Sequence, residues 1–71
     1  MVDPIVAFAA ALAVGIPAVA TGIAQARIGS AGAGAIAERP EVAGNIIVLE
    51  AIPETAVILG FVIAAMLILF K

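Results

Sequence analysis

Two apolar stretches make up nearly the whole sequence, and they constrain the fold more than any other feature. Residues 4–26 contain no charged side chain, and the charged residues in the range 42–70 are Glu50 and Glu54. Each stretch is long enough to cross the hydrocarbon core of a bilayer as a helix. A soluble chain of 71 residues, 66% of them hydrophobic, could not bury so many apolar side chains, because small domains bury a smaller fraction of their surface than large domains do. The sequence therefore predicts an all-α membrane protein.

Residue types that are absent exclude several functions. The chain has no cysteine and no histidine, which removes disulfides, thiolate metal sites and the commonest general base. Its net charge of -2 is too small to indicate a nucleic-acid partner. The first residues lack the basic region of a signal peptide, and the first apolar stretch is too long for one, so we expect the N-terminus to be retained.

A short polar segment separates the apolar stretches and predicts a turn. Pro40 disfavours helix for the residue before it, and three charges cluster in "ERPE". We predict a single hairpin over residues 1–71, with helix 1 at about 4–37, the polar turn at 38–41 and helix 2 at about 43–70. By the positive-inside rule Arg39 favours a cytoplasmic turn, with both termini, marked by Asp3 and Lys71, on the opposite side.

Small residues recur along helix 1 at spacings of three and four: Ala11, Gly15, Ala18, Gly22, Ala26, Gly29 and Ala33. This set, the small-residue stripe, would let another helix backbone approach closely. Because the stripe continues through "GSAGAG" at residues 29–34, we predict a packed helix there rather than a flexible loop. The second half of helix 2 is bulky and branched. We therefore expect helix 1 inside an assembly and helix 2 outside it.

Glu54 is the most anomalous residue, because it lies several positions inside an apolar helix. If the turn is centred between residues 39 and 40, Gln25 lies at the same depth, about 20 Å from the turn. An ionised carboxylate in hydrocarbon costs about 2.5–3.5 kcal/mol on insertion scales. Glu54 is therefore expected to be protonated, paired with a base, or bound to a cation.

Oxygen atoms near Glu54 are suited to a hard ion. Pro53 has no N–H, so the carbonyl of Leu49 lacks its usual partner, and the proline ring predicts a bend. Backbone carbonyls nearby, such as that of Ile52, could then turn toward a cation. Thr55 offers a hydroxyl and Gln25 an amide oxygen. Such ligands suit Na⁺, or a transferable proton, and not zinc or copper.

The structural alternative is that Glu54 pairs with a base and only specifies packing. Arg27 is the one basic residue within the spans, and it lies close to the depth of Glu50. An Arg27–Glu50 ion pair near the interface is therefore expected, and it would leave Glu54 free for function. Glu50 is expected to be structural, although it lies one turn from Glu54 on the same face.

The small-residue helix, the "ERPE" turn, and "AIPET" followed by "ILGFVIA" together resemble the proteolipid (c or K) subunits of rotary ATPases. The turn is similar to the arginine-proline loop of the F-type proteins, and the second motif is more similar to the archaeal and vacuolar (A/V) branch. The resemblance implies a homo-oligomeric rotor ring of non-catalytic hairpins in the cell membrane. Each hairpin would carry one H⁺ or Na⁺ on Glu54 and need no cofactor.

The resemblance also implies partners and an ion site. Identical copies and lipid surround each hairpin, a stator subunit with an essential arginine faces the outer helix, and central-stalk subunits contact the loop of Glu38, Arg39, Pro40 and Glu41. The site in sodium-binding members resembles Gln25, the carbonyl of Ile52, Glu54 and Thr55. Ala56 stands where some of those members have a further polar residue, so H⁺ and Na⁺ both stay open.

Two other functions fit the same length and hydropathy. A small pore former, such as a holin or toxin-like hairpin, would need no matched pair of Gln25 and Glu54. A purely structural hairpin would tolerate Glu54→Gln. The rotor ring accounts together for the small-residue stripe, the depth match and Pro53.

Overall fold

The chain folds into one antiparallel hairpin of helices, 53 Å long and 12–16 Å across, in a computed structural model that describes residues 2–70. The predicted all-α hairpin is confirmed, while Met1 and Lys71 lie outside the described residues. The second arm differs from the prediction because it consists of two helices. The elements are α1 (Pro4–Glu38), a 3-10 turn (Pro40–Val42), α2 (Ala43–Ala51) and α3 (Glu54–Leu69).

Local signals fix where α1 begins and allow it to continue. The Asp3 carboxylate accepts a hydrogen bond from the backbone N–H of Ile5 at 2.8 Å. Pro4 occupies the first helical position, where a missing N–H costs nothing. The helix then runs without interruption through residues 29–34, which confirms the prediction for "GSAGAG".

The turn follows from Pro40. Arg39 leaves the helical conformation with φ -139° and ψ 88°, as expected for a residue that precedes proline. Its Nε lies 3.8 Å from a carboxylate oxygen of Glu41. Both side chains are largely exposed, so this ion pair adds little to stability. The reversal of chain direction therefore depends on the backbone geometry of Arg39 and Pro40.

The two arms pack through small residues. Those buried in the hairpin are Ala10, Thr21, Gly32, Gly60 and Ala64. Gly60 lies against the backbone carbonyl of Ala13, which has no helical donor because Pro17 lacks an N–H. A methyl group at Gly60 would collide with that carbonyl. Direct contact between backbones therefore sets how closely α3 approaches α1.

Most of the small-residue stripe faces away from this contact. The buried positions Ala10, Thr21 and Gly32 each precede a stripe member by one residue, which is about 100° around the helix. A methyl group added at Gly15 or Gly22 would meet nothing within 4 Å. The hairpin itself does not explain why these positions are glycine.

Replacing Gly60 with alanine tests the backbone contact. We expect Gly60→Ala to lower the free energy of unfolding by about 1–3 kcal/mol, because the added methyl overpacks a site that cannot expand. Gly44→Ala is the matched control, since its methyl meets nothing within 4 Å and alanine favours helix by up to about 1 kcal/mol. Thermal unfolding followed by circular dichroism, in a detergent that keeps the chain monomeric, measures both. Equal stability of the two variants would contradict this packing.

Candidate ion-binding site

The helical hydrogen bonding of the second arm is interrupted at Ile52 and Pro53, which separate α2 from α3. The N–H of Thr55 donates to the carbonyl of Ile52 at 3.2 Å, and that of Ala56 donates to the carbonyl of Pro53 at 3.1 Å. These bonds span three residues rather than four, and the carbonyl of Leu49 lacks its usual helical donor because Pro53 has no N–H. The interruption lies at Pro53, where the sequence predicts a bend.

Gln25 connects α1 to both sides of this interruption. Its Nε2 donates to Oε2 of Glu54 at 2.9 Å and to the backbone carbonyl of Glu50 at 3.1 Å. The structure therefore brings Gln25 and Glu54 together, as the equal depth predicts. An amide group has two N–H donors, and both are used here. The side chain is held in place by one bond to backbone and one to the carboxyl group.

Thr21 makes a second polar contact, which was not predicted from the sequence. Its hydroxyl donates to the carbonyl of Pro53 at 2.8 Å, and the residue is only 4% exposed. Thr21 lies one turn before Gln25, so both side chains project from the same face of α1. One signal could have identified it, because Thr21 is the only hydroxyl residue in the uncharged stretch 4–26.

The two carbonyls at the interruption differ in what they can still bind. A carbonyl oxygen has two lone pairs. That of Pro53 accepts from both Thr21 and Ala56, so both are occupied. That of Ile52 accepts from Thr55 at 3.2 Å, which leaves one lone pair for a cation. Donor counting thus favours Ile52 over Pro53 as a backbone ligand.

Glu54 and Thr55 lie on the open side of the hairpin. Both residues are exposed, and the hydroxyl of Thr55 makes no side-chain hydrogen bond to the residues that the structure describes. Glu54 has Gln25 as its partner. The carbonyl of Ile52, the acid of Glu54 and the hydroxyl of Thr55 lie within four positions of the chain. Because Glu54 and Thr55 are exposed, these groups are available to an incoming ion.

Glu50 lies beside this group and packs against α1. A methyl group added at Gly29 would be 3.1 Å from Oε2 of Glu50. The other carboxyl oxygen, Oε1, is buried and has no hydrogen-bond partner within residues 2–70. A glycine at position 29 therefore makes room for this carboxyl group.

The expected ion pair between Arg27 and Glu50 is wrong for the hairpin. Arg27 is exposed, and the ion pair present among the described residues joins Arg39 to Glu41. Arg27 lies two residues after Gln25, which rotates it by about 200° on the helix. Matching depth alone predicted the pair, but Arg27 is on the face of α1 that points away from α2.

The residues predicted to contact the central stalk occupy the end of the hairpin. The residues Glu38, Arg39, Pro40 and Glu41 are all exposed there. Glu54 is separated from this end by more than the length of α2, which is about 14 Å for nine residues. The charged turn and the candidate ion site are therefore distinct regions of the molecule.

Comparison with known proteins gives consistent matches. The family model for the C subunit of ATP synthase matches residues 8–67. The K subunit of the A-type ATP synthase from Methanocaldococcus jannaschii is 46% identical over 72 residues, an alignment that covers 99% of this chain and 32% of that protein. The chain thus spans about a third of the length of this relative. No solved structure matches.

Loss of the Gln25 amide should weaken the hairpin. We expect Gln25→Leu to lower the free energy of unfolding by about 1–3 kcal/mol, because it removes two hydrogen bonds and leaves polar groups without their partner. Arg27→Leu is the control, expected to change stability by less than about 0.5 kcal/mol. Denaturant titration of monomeric hairpins in detergent gives both values. A cost for Arg27→Leu as large as that for Gln25→Leu would contradict the site geometry.

Proposed function

The chain belongs to the family of ATP synthase C subunits, and on that premise we propose that it carries H⁺ or Na⁺ on Glu54 in the rotor ring of a rotary ATP synthase. Its similarity to the K subunit of an A-type enzyme supports assignment to the A/V type of c/K proteolipid. Such a subunit is part of the rotor and is not itself catalytic. Two arms that are long and apolar enough to cross a membrane, Pro4–Glu38 and Pro40–Leu69, are consistent with this role.

The observation that carries the proposal is the contact of Gln25 with Glu54 at the helix interruption. Nε2 of Gln25 lies 2.9 Å from Oε2 of Glu54, so the amide of the first apolar stretch contacts the acid of the second. A carboxyl group in this position can be neutral in the membrane by holding a proton or a cation. A purely structural acid would not require the exposure that Glu54 has in the hairpin.

Two features of the single hairpin support its assembly into a ring. Glu54 is exposed, so in lipid it would lack a complete polar surrounding unless a neighbouring copy covers it. Gly15 and Gly22 face open space on α1, where a second helix backbone could approach closely. A ring of identical copies would meet both requirements at once.

The orientation of Gln25 bears on which ion is carried. Its amide N–H groups, rather than its carbonyl oxygen, face Glu54 and the Glu50 backbone. A proton on Glu54 is compatible with this arrangement. Binding of Na⁺ by Gln25 would require the amide to rotate so that its oxygen faces the site, beside the Ile52 carbonyl and the Thr55 hydroxyl.

The proposed cycle uses the cost of an unpaired charge in lipid. Facing lipid, Glu54 must be neutralised by its ion. Facing a stator subunit, it releases the ion into an aqueous path and interacts with an arginine of that subunit. Each charge that crosses the membrane potential supplies about 2.3 kcal/mol per 100 mV, which drives rotation.

The proposed orientation places the charged turn in the cytoplasm and both termini on the other side of the cell membrane. Arg39 supports this orientation under the positive-inside rule. The exposed turn of Glu38, Arg39, Pro40 and Glu41 would then contact the central stalk. The bulky exposed side chains of α3 would face lipid and the stator.

Carbodiimide labelling tests the role of Glu54. In the detergent-purified oligomer we expect modification at Glu54, slowing as pH rises because the ionised carboxylate does not react. Protection by Na⁺ would identify a sodium-binding site, and its absence would indicate H⁺. Glu54→Gln should abolish labelling, whereas Glu50→Gln should retain it. Labelling spread equally over Glu38, Glu41, Glu50 and Glu54 would overturn the proposal and favour a pore former.

The small-residue stripe can be tested separately from the ion site. We expect Gly22→Leu to reduce the oligomer to smaller species while helix content is kept, because the leucine blocks close approach on the free face of α1. Ile23→Leu is the control, since it conserves volume at an exposed apolar position next to Gly22. Native mass spectrometry from detergent reports the assembly. An intact oligomer of Gly22→Leu would argue against a ring interface on this face.

A further inference from the structure

We infer that Thr21 is a positioning residue for the Glu54 carboxyl group. The inference rests on the proposed function of Glu54 and adds a residue to its site. Thr21 does not touch Glu54. Its hydroxyl donates to the carbonyl of Pro53 at 2.8 Å, and Pro53 directly precedes Glu54 in the chain.

The bond of Thr21 is notable for the partner that it reaches. A threonine within a helix commonly donates to the carbonyl four residues earlier on its own helix. Thr21 instead donates across the hairpin to a residue 32 positions away. The residue is 4% exposed, so water cannot easily replace this acceptor. A buried hydroxyl is costly without such a bond.

A peptide plane transmits this contact to Glu54. The Pro53 carbonyl and the N and Cα atoms of Glu54 belong to one planar peptide unit. Fixing the carbonyl oxygen therefore fixes the orientation of the unit from which the Glu54 side chain extends. Gln25 holds the other end of that side chain, through a bond of 2.9 Å to Oε2.

Two residues one turn apart on α1 thus constrain the acid at both ends. Without the Thr21 hydroxyl, the Pro53 carbonyl still accepts from the N–H of Ala56 at 3.1 Å, so the hairpin keeps a satisfied backbone. The peptide unit that carries the Glu54 side chain would instead lose its fixed orientation. Glu54 would meet Gln25 less often, and its carboxyl group would be more accessible to a reagent.

The test uses Thr21→Val, which keeps the shape and removes the hydroxyl, and Thr21→Ser, which keeps the hydroxyl. The rate of carbodiimide labelling at Glu54 is measured in the detergent-purified oligomer at one fixed pH without Na⁺. We expect Thr21→Val to raise the rate by about two- to tenfold, the range given by one net hydrogen bond. Thr21→Ser should stay within about twofold of the unaltered chain, and Ser30→Ala, at an exposed hydroxyl of α1, should not change it.

A double-variant comparison separates positioning from a general loosening of the fold. In a Gln25→Leu background Glu54 has already lost its partner, so Thr21→Val should add little to the rate. If the fold-changes in labelling rate caused by Thr21→Val and Gln25→Leu simply multiply in the double variant, the inference is overturned. Equal rates for Thr21→Val and the unaltered chain would also overturn it. If Thr21→Val does not assemble, Thr21→Ala removes the hydroxyl without a new buried methyl, and the same outcomes decide. Unselective labelling of the unaltered chain would instead refute the proposed function of Glu54.

Discussion

The hydrogen bonds from α1 to the interruption at Pro53 are the interactions on which the site depends. In lipid, backbone polar groups are satisfied within the protein. Gln25 and Thr21 add donors from α1 to the carbonyls of Glu50 and Pro53, and the Pro53 carbonyl also accepts from the N–H of Ala56. The same contacts place the amide of Gln25 against Glu54. Support of the backbone and formation of the candidate ion site are therefore one structural arrangement.

Small residues on α1 have two separate uses. Ala10, Thr21 and Gly32 are buried against the second arm and let the two backbones approach. Gly15 and Gly22 of the neighbouring stripe face open space in a single hairpin. A helix with small residues on two faces can pack against its own partner and against a second copy. This is the arrangement that a closed ring of hairpins would need.

Distance along the chain predicted much of this structure, and rotation around the helix explains the rest. Counting residues from the turn was sufficient to place Gln25 level with Glu54, and Pro53 predicted a bend at the position where the structure has an interruption between two helices. Arg27 was wrongly paired with Glu50 because depth does not specify which face of a helix a residue occupies. Thr21 was missed for the same reason, since its burial depends on the rotation of α1 against α3.

Infrared difference spectroscopy of the oligomer tests the central claim most directly, because it detects the C=O stretch of a protonated carboxyl group. Spectra are recorded as pH is raised, and separately as Na⁺ is added. We expect a protonated-carboxyl signal that is lost as pH rises, and this loss should be absent from Glu54→Gln and present in Glu50→Gln. Loss of the same signal on adding Na⁺ would identify Na⁺ as the competing ion. A signal that persists unchanged in Glu54→Gln would contradict the claim that Glu54 carries the ion.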